Sequence, residues 1–488
     1  MKQHRPHRRT WGWTHWALCA LILAAWGLRL PPALVNRLHA DEALYGYWGL
    51  LIGRGQDVWL TTVPVYKPPV MPYLTALTQI CFGAHELAVR WVGLSAGLLL
   101  VPLVAALARG MYRDRWSAIG AGAIVALSPF VILFSATAFT DPPMVALGVA
   151  ACVAAIRRRA GWAGLWLGLS CATKQTGVVW APLVMLLLWS RKEQFGATIG
   201  ALSVVGACVA GWDFLRVQAG AESFWQTGVT GYGGLRLIWP HELWDRGRAW
   251  QRWARYFYAA PALNIGTMLA LPMLVGLARW KRDVLGSWYD LTVAFFCVVY
   301  WLFHWLVAFP VWDRYLLPLL PVVAVATSRW LSILVAALRV AILRRLPSWV
   351  CPLLLMLALI GPAWNGAHSR YPVGGDHWAY DGIDRVADFL SHLPTGSVVY
   401  QHWLGWHYSY YLFDAPVYIA YWPTPSWLAH DVQTFGAVGE RYITFPSWES
   451  SARVAQALRT VGYRLSPVQI AYRRDGSPSF VVYRIRAL

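Results

Sequence analysis

Apolar runs long enough to cross a bilayer recur along the whole chain, and no other feature narrows the fold as far. A membrane-spanning helix needs about 20 consecutive apolar residues. Runs of that kind occupy 16–35, 87–107, 117–134, 144–156, 162–182, 195–212, 261–277, 291–309, 316–338 and 350–364. The run 162–182 is interrupted by Thr173-Lys174-Gln175-Thr176-Gly177, so it reads as two short spans or as a re-entrant pair. Counted that way, length alone predicts about eleven spans. Only 13% of the 488 residues are charged, where a soluble domain averages about 25%. The expected fold is a polytopic α-helical membrane protein.

The formal net charge is +19. In a soluble chain that excess would suggest nucleic acid. Here it sits in short turns between apolar runs, which is the pattern of cytoplasmic loops, so no nucleic-acid partner is expected. The basic turns hold Arg109, Arg113 and Arg115; Arg157, Arg158 and Arg159; Arg191 and Lys192; Arg279, Lys281 and Arg282; and Arg339, Arg344 and Arg345. The alternate turns carry Asp41, Asp141 and Asp313. Lys2, Arg5, Arg8 and Arg9 place the N-terminus in the cytoplasm, and the parity of spans then puts the C-terminal region outside. The first run resembles a signal peptide, with Leu38-His39-Ala40 as a poor cleavage site, but its length favours an uncleaved span. Seven cysteines fall almost wholly within apolar runs and show no CxxC spacing. They read as small buried hydrophobes without a disulfide framework. The 32 tryptophans suit the interfacial belts of a bilayer, with some left for a cleft or the C-terminal region.

Two domains are expected. Residues 1–365 form the transmembrane module, with outer loops at 36–86 and 213–260. Residues 366–488 form an extracytoplasmic α/β domain. Its elements are a helix over 383–393, strands at 398–401 and 441–445, and a helix over 451–461 that stops at Gly462, a usual C-cap. A hairpin follows, with arms 463–472 and 480–485 around Asp475-Gly476.

The chemistry-bearing residues gather at the outer ends of the spans. Asp41 and Glu42 follow the first run and open a helical-period segment with Leu44, Trp48, Leu51 and Ile52 on one side. Such a helix is expected to lie along the membrane surface, close to a second surface segment at 70–82. Acids in a first turn also favour the helix dipole, so the pair fits a plain helix start as well as a general base. Asp141, ahead of Pro142 and Pro143, fits a turn initiator or a second site acid. Lys67, in Lys67-Pro68-Pro69, and Arg90 suit snorkelling side chains. Lys174 and Arg314 interrupt apolar sequence, where a charge is costly and points to function. Together these cations suit a phosphate, with arginine offering a fork and lysine a point charge. His241 and Glu242, in the long outer loop, are candidate metal ligands, too few to argue a site. The sequence specifies no cofactor and leaves a divalent metal open. His402, His407 and the tyrosines of the C-terminal region suit either glycan contact or packing.

These residues and their order resemble the GT-C superfamily of membrane glycosyltransferases, nearest to the protein O-mannosyltransferase and lipid A aminoarabinose transferase branch. Asp41-Glu42, Lys67-Pro68-Pro69, Arg90 in Ala88-Val89-Arg90-Trp91, Asp141, Lys174 and the run Arg314-Tyr315-Leu316-Leu317-Pro318 carry the resemblance over about residues 10–340. It implies an inverting transferase that takes its sugar from a polyprenyl phosphate. By that resemblance Asp41 is the base, with Glu42 beside it, and Asp141 is a second acidic site residue. Lys67, Lys174, Arg314 and Arg90 would bind the donor phosphate. In the aminoarabinose branch an acid precedes the KPP-type lysine and joins a metal site, whereas Tyr66 stands there in this chain. The C-terminal α/β region also departs from the β-trefoil of the eukaryotic mannosyltransferases.

The expected partners are therefore a polyprenyl-phosphate-linked sugar, a hydroxyl acceptor on protein, lipid or glycan, and membrane lipids. A bacterial inner membrane is the expected location. The alternative is a transporter or flippase for a lipid-linked anion. Such proteins usually show repeated halves and mid-membrane charges, whereas this chain has no internal repeat and its charges cluster at the outer ends.

Overall fold

The structure is a computed structural model that describes residues 12–189, 194–232, 236–280, 284–341 and 347–488. Lys2, Arg5, Arg8, Arg9, Arg191, Lys192, Lys281, Arg282, Arg344 and Arg345 of the basic turns lie outside the described residues. The chain forms two compact units. One comprises Met1–Pro32, Thr61–Met71 and Val92–Gly374; the other comprises Ala33–Leu60, Pro72–Trp91 and Gly375–Leu488.

Among the described residues six helices are long and apolar enough to cross a bilayer: Trp13–Val35, Glu86–Tyr112, Phe195–Gln218, Gly286–Leu306, Leu319–Leu338 and Val350–Ala367. Two bent pairs, Arg115–Leu127 with Pro129–Ser135 and Pro240–Phe257 with Pro261–Gly276, raise the number to eight if each is one span. Eleven were expected. The difference lies in the runs 144–156 and 162–182, which fold as short helices, Asp141–Ile156 and Ala160–Thr173, and a 3-10 turn Gln175–Trp180 leading into Ala181–Leu187. None of these reaches the length of a span. Only 11% of the apolar window in Phe195–Gln218 is buried within the chain. Apolar side chains left uncovered on that scale require lipid around them.

The second unit is an α/β structure. Its five strands are β1 (Val398–Gln401), β2 (Tyr418–Tyr421), β3 (Arg441–Pro446), β4 (Tyr463–Tyr472) and β5 (Pro478–Ala487). The sheet order is β2-β1-β3-β5-β4. β1 pairs in parallel with both β2 and β3, while β5 runs antiparallel to β3 and β4. The expected strands at 398–401 and 441–445, the two helices and the hairpin are all present. The helices Gly405–Tyr411 and Pro425–Phe435 and the edge strand β2 were not anticipated. Gly405–Tyr411 is short and rich in tyrosine, and only tertiary packing makes it helical.

The segment opened by Asp41 is the helix Ala40–Gly53, and Val70–Phe82, read from the sequence as a second surface segment, is a helix. Leu44, Trp48 and Leu51 are buried. They are not laid on a bilayer as the sequence suggested: the helix packs against Gly405–Tyr411. Gly46 makes the approach close enough, since a Cβ there would meet the Tyr410 ring at 2.8 Å.

In the first unit the span containing Ser117 is bent by 57° between Leu127 and Pro129. Pro129 has no N–H to give the carbonyl of Val125. Arg29 repairs the break from a neighbouring helix. Its guanidinium donates to the Val125 carbonyl at 2.9 Å, to Ala126 at 3.0 Å and to Ala25 at 2.9 Å. Gly97 leaves room for it, because a Cβ there would stand 2.0 Å from Ser135 Oγ and 3.3 Å from Arg29 Nε. A charged hydrogen bond contributes about 1.5–3 kcal/mol, and orphaned buried carbonyls cost more than the bond was worth. Arg29→Met is therefore expected to lower the thermal midpoint of the detergent-solubilised protein by several degrees, with Arg29→Lys recovering part of the loss. A melting curve followed by size-exclusion chromatography checks this.

Candidate active site

The first unit buries an ion pair where apolar sequence is interrupted. The helix Asp141–Ile156 begins with Asp141, Pro142 and Pro143, and the residue before it, Thr140, makes no side-chain cap. A cap at Asp141 would accept from the N–H groups two and three places on, but Pro143 has none and that of Met144 donates to the Thr140 carbonyl at 3.2 Å. The Asp141 carboxylate therefore takes another partner: Lys174 Nζ lies 2.6 Å from Asp141 Oδ1, with both side chains nearly inaccessible. Lys174 occupies the break after Ala160–Thr173, with extended backbone (φ −154°, ψ 134°). The chain then folds back so closely that a Cβ on Gly177 would come within 2.5 Å of the Ser170 backbone. That turn carries Gln175, whose Nε2 donates to the Tyr66 carbonyl at 2.8 Å. The Lys67-Pro68-Pro69 loop is thereby pinned beside the Lys174 turn. Lys67 is buried, with its Nζ 4.8 Å from the centre of the Tyr66 ring.

A third cation joins them. Arg314 packs its guanidinium 5.0 Å from the Phe139 ring and 4.5 Å from the Trp312 ring, while Lys174 Nζ sits 4.7 Å from the Tyr315 ring. Asp313, left without a role in the sequence reading, is also part of the group. Its carboxylate accepts from the N–H of Arg314 at 2.8 Å and of Gly374 at 3.1 Å. Burial pushes the Asp313 carboxyl up; those backbone bonds and Arg314 oppose the shift, and the charge of Asp141 adds to it. Gly374 has φ +69°, and a Cβ on it would press on the Leu133 backbone at 3.0 Å, so glycine alone fits there. The cations of the group are Lys67, Lys174 and Arg314, and its acids are Asp141 and Asp313.

The second unit holds the other acids. His39 caps the helix Ala40–Gly53: its Nδ1 accepts from the Asp41 N–H at 3.1 Å, and its own N–H donates to Glu42 Oε2 at 2.9 Å. Glu42 is fully buried and also paired with Arg90. Arg90 Nε donates to Glu42 Oε1 at 2.9 Å and Nη2 to Oε2 at 3.2 Å. Its remaining donors go to the carbonyls of Ala33, Asn36 and Arg37. All five N–H groups of this guanidinium are engaged within the chain. Arg90, expected at the donor phosphate, and Glu42, expected beside the base, are placed as each other's partners. Asp41 is half-buried. Its charge reaches the phenol of Tyr380, whose pKa is raised by burial first, then by Asp376 and Asp41. The Tyr380 ring lies 4.3 Å from that of His407 and 6.2 Å from that of His39.

His241 and Glu242 take a different position from a metal centre. Both Glu242 carboxylate oxygens accept from Arg236, at 2.7 and 2.8 Å, and one also accepts the Trp239 N–H. Among the described residues no three His, Cys, Asp or Glu side chains gather as a metal site would require.

The fold has close counterparts. The chain superposes on a crystal structure of ArnT from Cupriavidus metallidurans bound to undecaprenyl phosphate with a TM-score of 0.64 and 14% identity, covering 97% of this chain and 98% of that one. The apo form of the same protein gives 0.63 at 14% identity, covering 96% and 97%. The chain is a polytopic membrane protein with the fold of that structure. Residues 66–211 match the family model of dolichyl-phosphate-mannose-protein mannosyltransferases. That stretch holds Lys67, Asp141 and Lys174. No curated protein matches the sequence.

Asp313, Glu86 and Asp376 are acids of these clusters that the sequence reading left unassigned. Asp313 adjoins Arg314 in a loop already singled out, so its neighbour was the available signal. Asp376 follows Gly374-Gly375, a pair that marks a special turn and nothing more.

Two outcomes follow from the paired charges. Breaking a buried pair by removing one member costs about 3–5 kcal/mol. Lys174→Met is expected to destabilise the protein on that scale, and Asp141→Asn with Lys174→Met to cost less than the two single changes summed; a double-mutant cycle of unfolding midpoints measures the coupling. His407 is fully buried, with its Nε2 3.0 Å from the Leu38 carbonyl. Burial pushes its pKa down to about 4. A histidine so shifted contributes stability that is present above about 6.5 and is lost as pH falls towards 4. The difference in thermal midpoint between wild type and His407→Asn is expected to shrink across that window.

Proposed function

We propose that this protein is an inverting glycosyltransferase that moves a sugar from a polyprenyl-phosphate donor to a hydroxyl acceptor, on protein, lipid or glycan, at the outer face of the membrane. The observation that carries the reading is the gathering of three cations, Lys67, Lys174 and Arg314, with the acids Asp141 and Asp313. A polyprenyl-phosphate sugar is a phosphodiester with one negative charge. When the bond between the anomeric carbon and the phosphate oxygen breaks, the departing monoester gains a second. Cations in a dry site hold that growing charge better than they hold the ground state, which is the condition for catalysis.

In this reading the acceptor hydroxyl attacks the anomeric carbon from the side opposite the phosphate, and its proton passes to a carboxylate. We assign that base to Asp41. Glu42 is its immediate neighbour in sequence, but the Arg90 pair and the cap already occupy both its oxygens. Glu42 and Arg90 then serve to hold the first turn in place. Lys67, Lys174 and Arg314 face the donor phosphate, and Asp141 orients Lys174. The likeness to a structure described as bound to undecaprenyl phosphate supports the donor class. We place the protein in a bacterial inner membrane, with the N-terminus cytoplasmic and residues 366–488 extracytoplasmic.

The test separates binding from turnover. Native mass spectrometry with undecaprenyl phosphate as probe should show about a ten- to hundredfold loss of affinity for Lys174→Gln and for Arg314→Gln, the worth of one charged hydrogen bond. Asp41→Asn should bind like wild type yet release no undecaprenyl phosphate from a panel of undecaprenyl-phosphate sugars. Full turnover in Asp41→Asn would overturn the assignment of the base. Movement of intact donor across a vesicle membrane without sugar release would instead favour a transporter.

A further inference from the structure

A groove in the first unit opens at the end of Ala160–Thr173 opposite Lys174. It has a volume of about 550 Å³, within the range of small-ligand sites, and is lined by Arg159, Gly161, Trp162 and Leu165 on one side and by Ala201 and Val204 on the other. The helix between its mouth and Lys174 has 14 residues, about 21 Å at 1.5 Å each, so the groove is separate from the charged group around Lys174.

Glycines explain its shape. The helices that wall it, Ala160–Thr173 and Phe195–Gln218, are in tight contact: a Cβ on Gly164 would stand 2.0 Å from the Thr198 carbonyl and one on Gly168 2.8 Å from Val205. Thr198 Oγ1 donates to the Ala160 carbonyl at 3.2 Å and fixes the edge of that contact. Beside it the surface is open, since a Cβ on Gly161 or Gly200 would meet nothing within 4 Å. Phe195–Gln218 is a span whose apolar window is only 11% buried, and Val204 is 64% exposed. The groove therefore opens on lipid. Ala201 and Val204 lie about 9 and 14 Å along the span from Phe195, so its floor descends into the hydrocarbon.

The mouth has a different chemistry. Arg159 lines it, and Arg157 and Arg158 precede it in the same exposed turn. Trp162 stands beside them, stacked on Trp166 with ring centres 5.8 Å apart; such a ring belongs at a headgroup boundary. A basic, aromatic mouth over an apolar floor matches a molecule with an anionic head and an acyl tail.

We propose that this groove is a binding site for an anionic glycerophospholipid, with its phosphate on Arg159 and one acyl chain along Leu165, Ala201 and Val204. The guanidinium offers the phosphate a fork of donors. A zwitterionic lipid brings the same chain, but its own cation competes with Arg159. Soluble glycerol phosphate has the head and no chain to cover the floor. The site stands whichever residue is the base of the transfer.

Native mass spectrometry tests this on the full-length protein, released from nanodiscs of equal parts phosphatidylglycerol and phosphatidylethanolamine. Wild type should retain one phosphatidylglycerol about tenfold over phosphatidylethanolamine, the worth of one charged hydrogen bond. Arg159→Gln should bring that ratio near one. Gly161→Leu fills the groove where a Cβ has free room and replaces a poor helix former. It should lose the lipid while melting no lower than wild type. Millimolar glycerol phosphate should displace nothing. Equal retention of the two lipids, a ratio unmoved by Arg159→Gln, or a lipid still held by Gly161→Leu overturns the proposal. So does displacement by glycerol phosphate. Loss of a dimer instead of a lipid in Gly161→Leu would make this face a contact between copies of the chain, and the lipid site would fall.

Discussion

A cation of the first unit lies among apolar side chains, and the structure around it is arranged to make that tolerable. Lys174 meets Asp141 at 2.6 Å with almost no access to solvent. Removing two such charges from water costs several kcal/mol per ion even after relaxation. The cost falls only if both partners are held where their attraction is greatest. The sequence provides for this on both sides. On one, a helix stops at Thr173 so that Lys174 is extended and its side chain is free of the helical ladder. On the other, Pro143 lacks an N–H and that of Met144 is taken by the Thr140 carbonyl, so Asp141 is not held as a cap. The adjoining loop with Lys67 is then fixed through the Tyr66 carbonyl and Gln175.

The second unit solves the same problem with a guanidinium. Arg90 is hydrogen-bonded to one carboxylate, Glu42, lies 3.9 Å from a second, Glu86, and gives its other donors to three backbone carbonyls ahead of Ala40–Gly53. A lysine could neutralise Glu42 but has only three donors and no fork. The arginine therefore does two jobs: it neutralises a buried acid and it fixes the path of the chain from Ala33 to Arg37. Asp41 and Glu42 are adjacent, yet a helix turns about 100° between successive residues, so one faces the guanidinium and the other does not.

How much of this could be read in advance depends on whether a residue's partner is local. The hairpin of β4 and β5 was legible because an Asp-Gly turn sits between its two arms. The break at Lys174 was legible because polar residues interrupt an apolar run. Lys67, Asp141, Lys174 and Arg314 could be singled out for the same reason. What those residues pair with was not legible. Glu42 and Arg90 are 48 positions apart, and the carbonyls that occupy Arg90 carry no sequence signal. The span count read from run length exceeds the six to eight helices that meet the length of a span among the described residues, because run length does not register breaks such as the one that leaves Asp141–Ile156 short. Helix Gly405–Tyr411 was missed because its side chains find their cover on Ala40–Gly53, far away in sequence. Arg29 read as one more residue in an apolar run, since the proline break it repairs lies a hundred residues on.

Two aspartates in the first unit show how local sequence divides structure from chemistry. Asp114 stands just before the helix Arg115–Leu127 and accepts the N–H groups of Trp116 at 3.1 Å and Ser117 at 2.9 Å. Its charge is spent on the helix start, where the dipole also favours it. Asp141 also stands at a helix start, one place further in, and the dipole favours it equally. The two residues after it are prolines, which preset the helix; Pro143 offers no N–H, and that of Met144 goes to the Thr140 carbonyl at 3.2 Å. A carboxylate there has the field of the helix and neither of the bonds that Asp114 accepts. It must find a donor elsewhere, and Lys174 is the donor it finds. This start thus turns what would be a capping aspartate into the anchor of a buried cation, and the helix loses little by it, since proline suits its first turn.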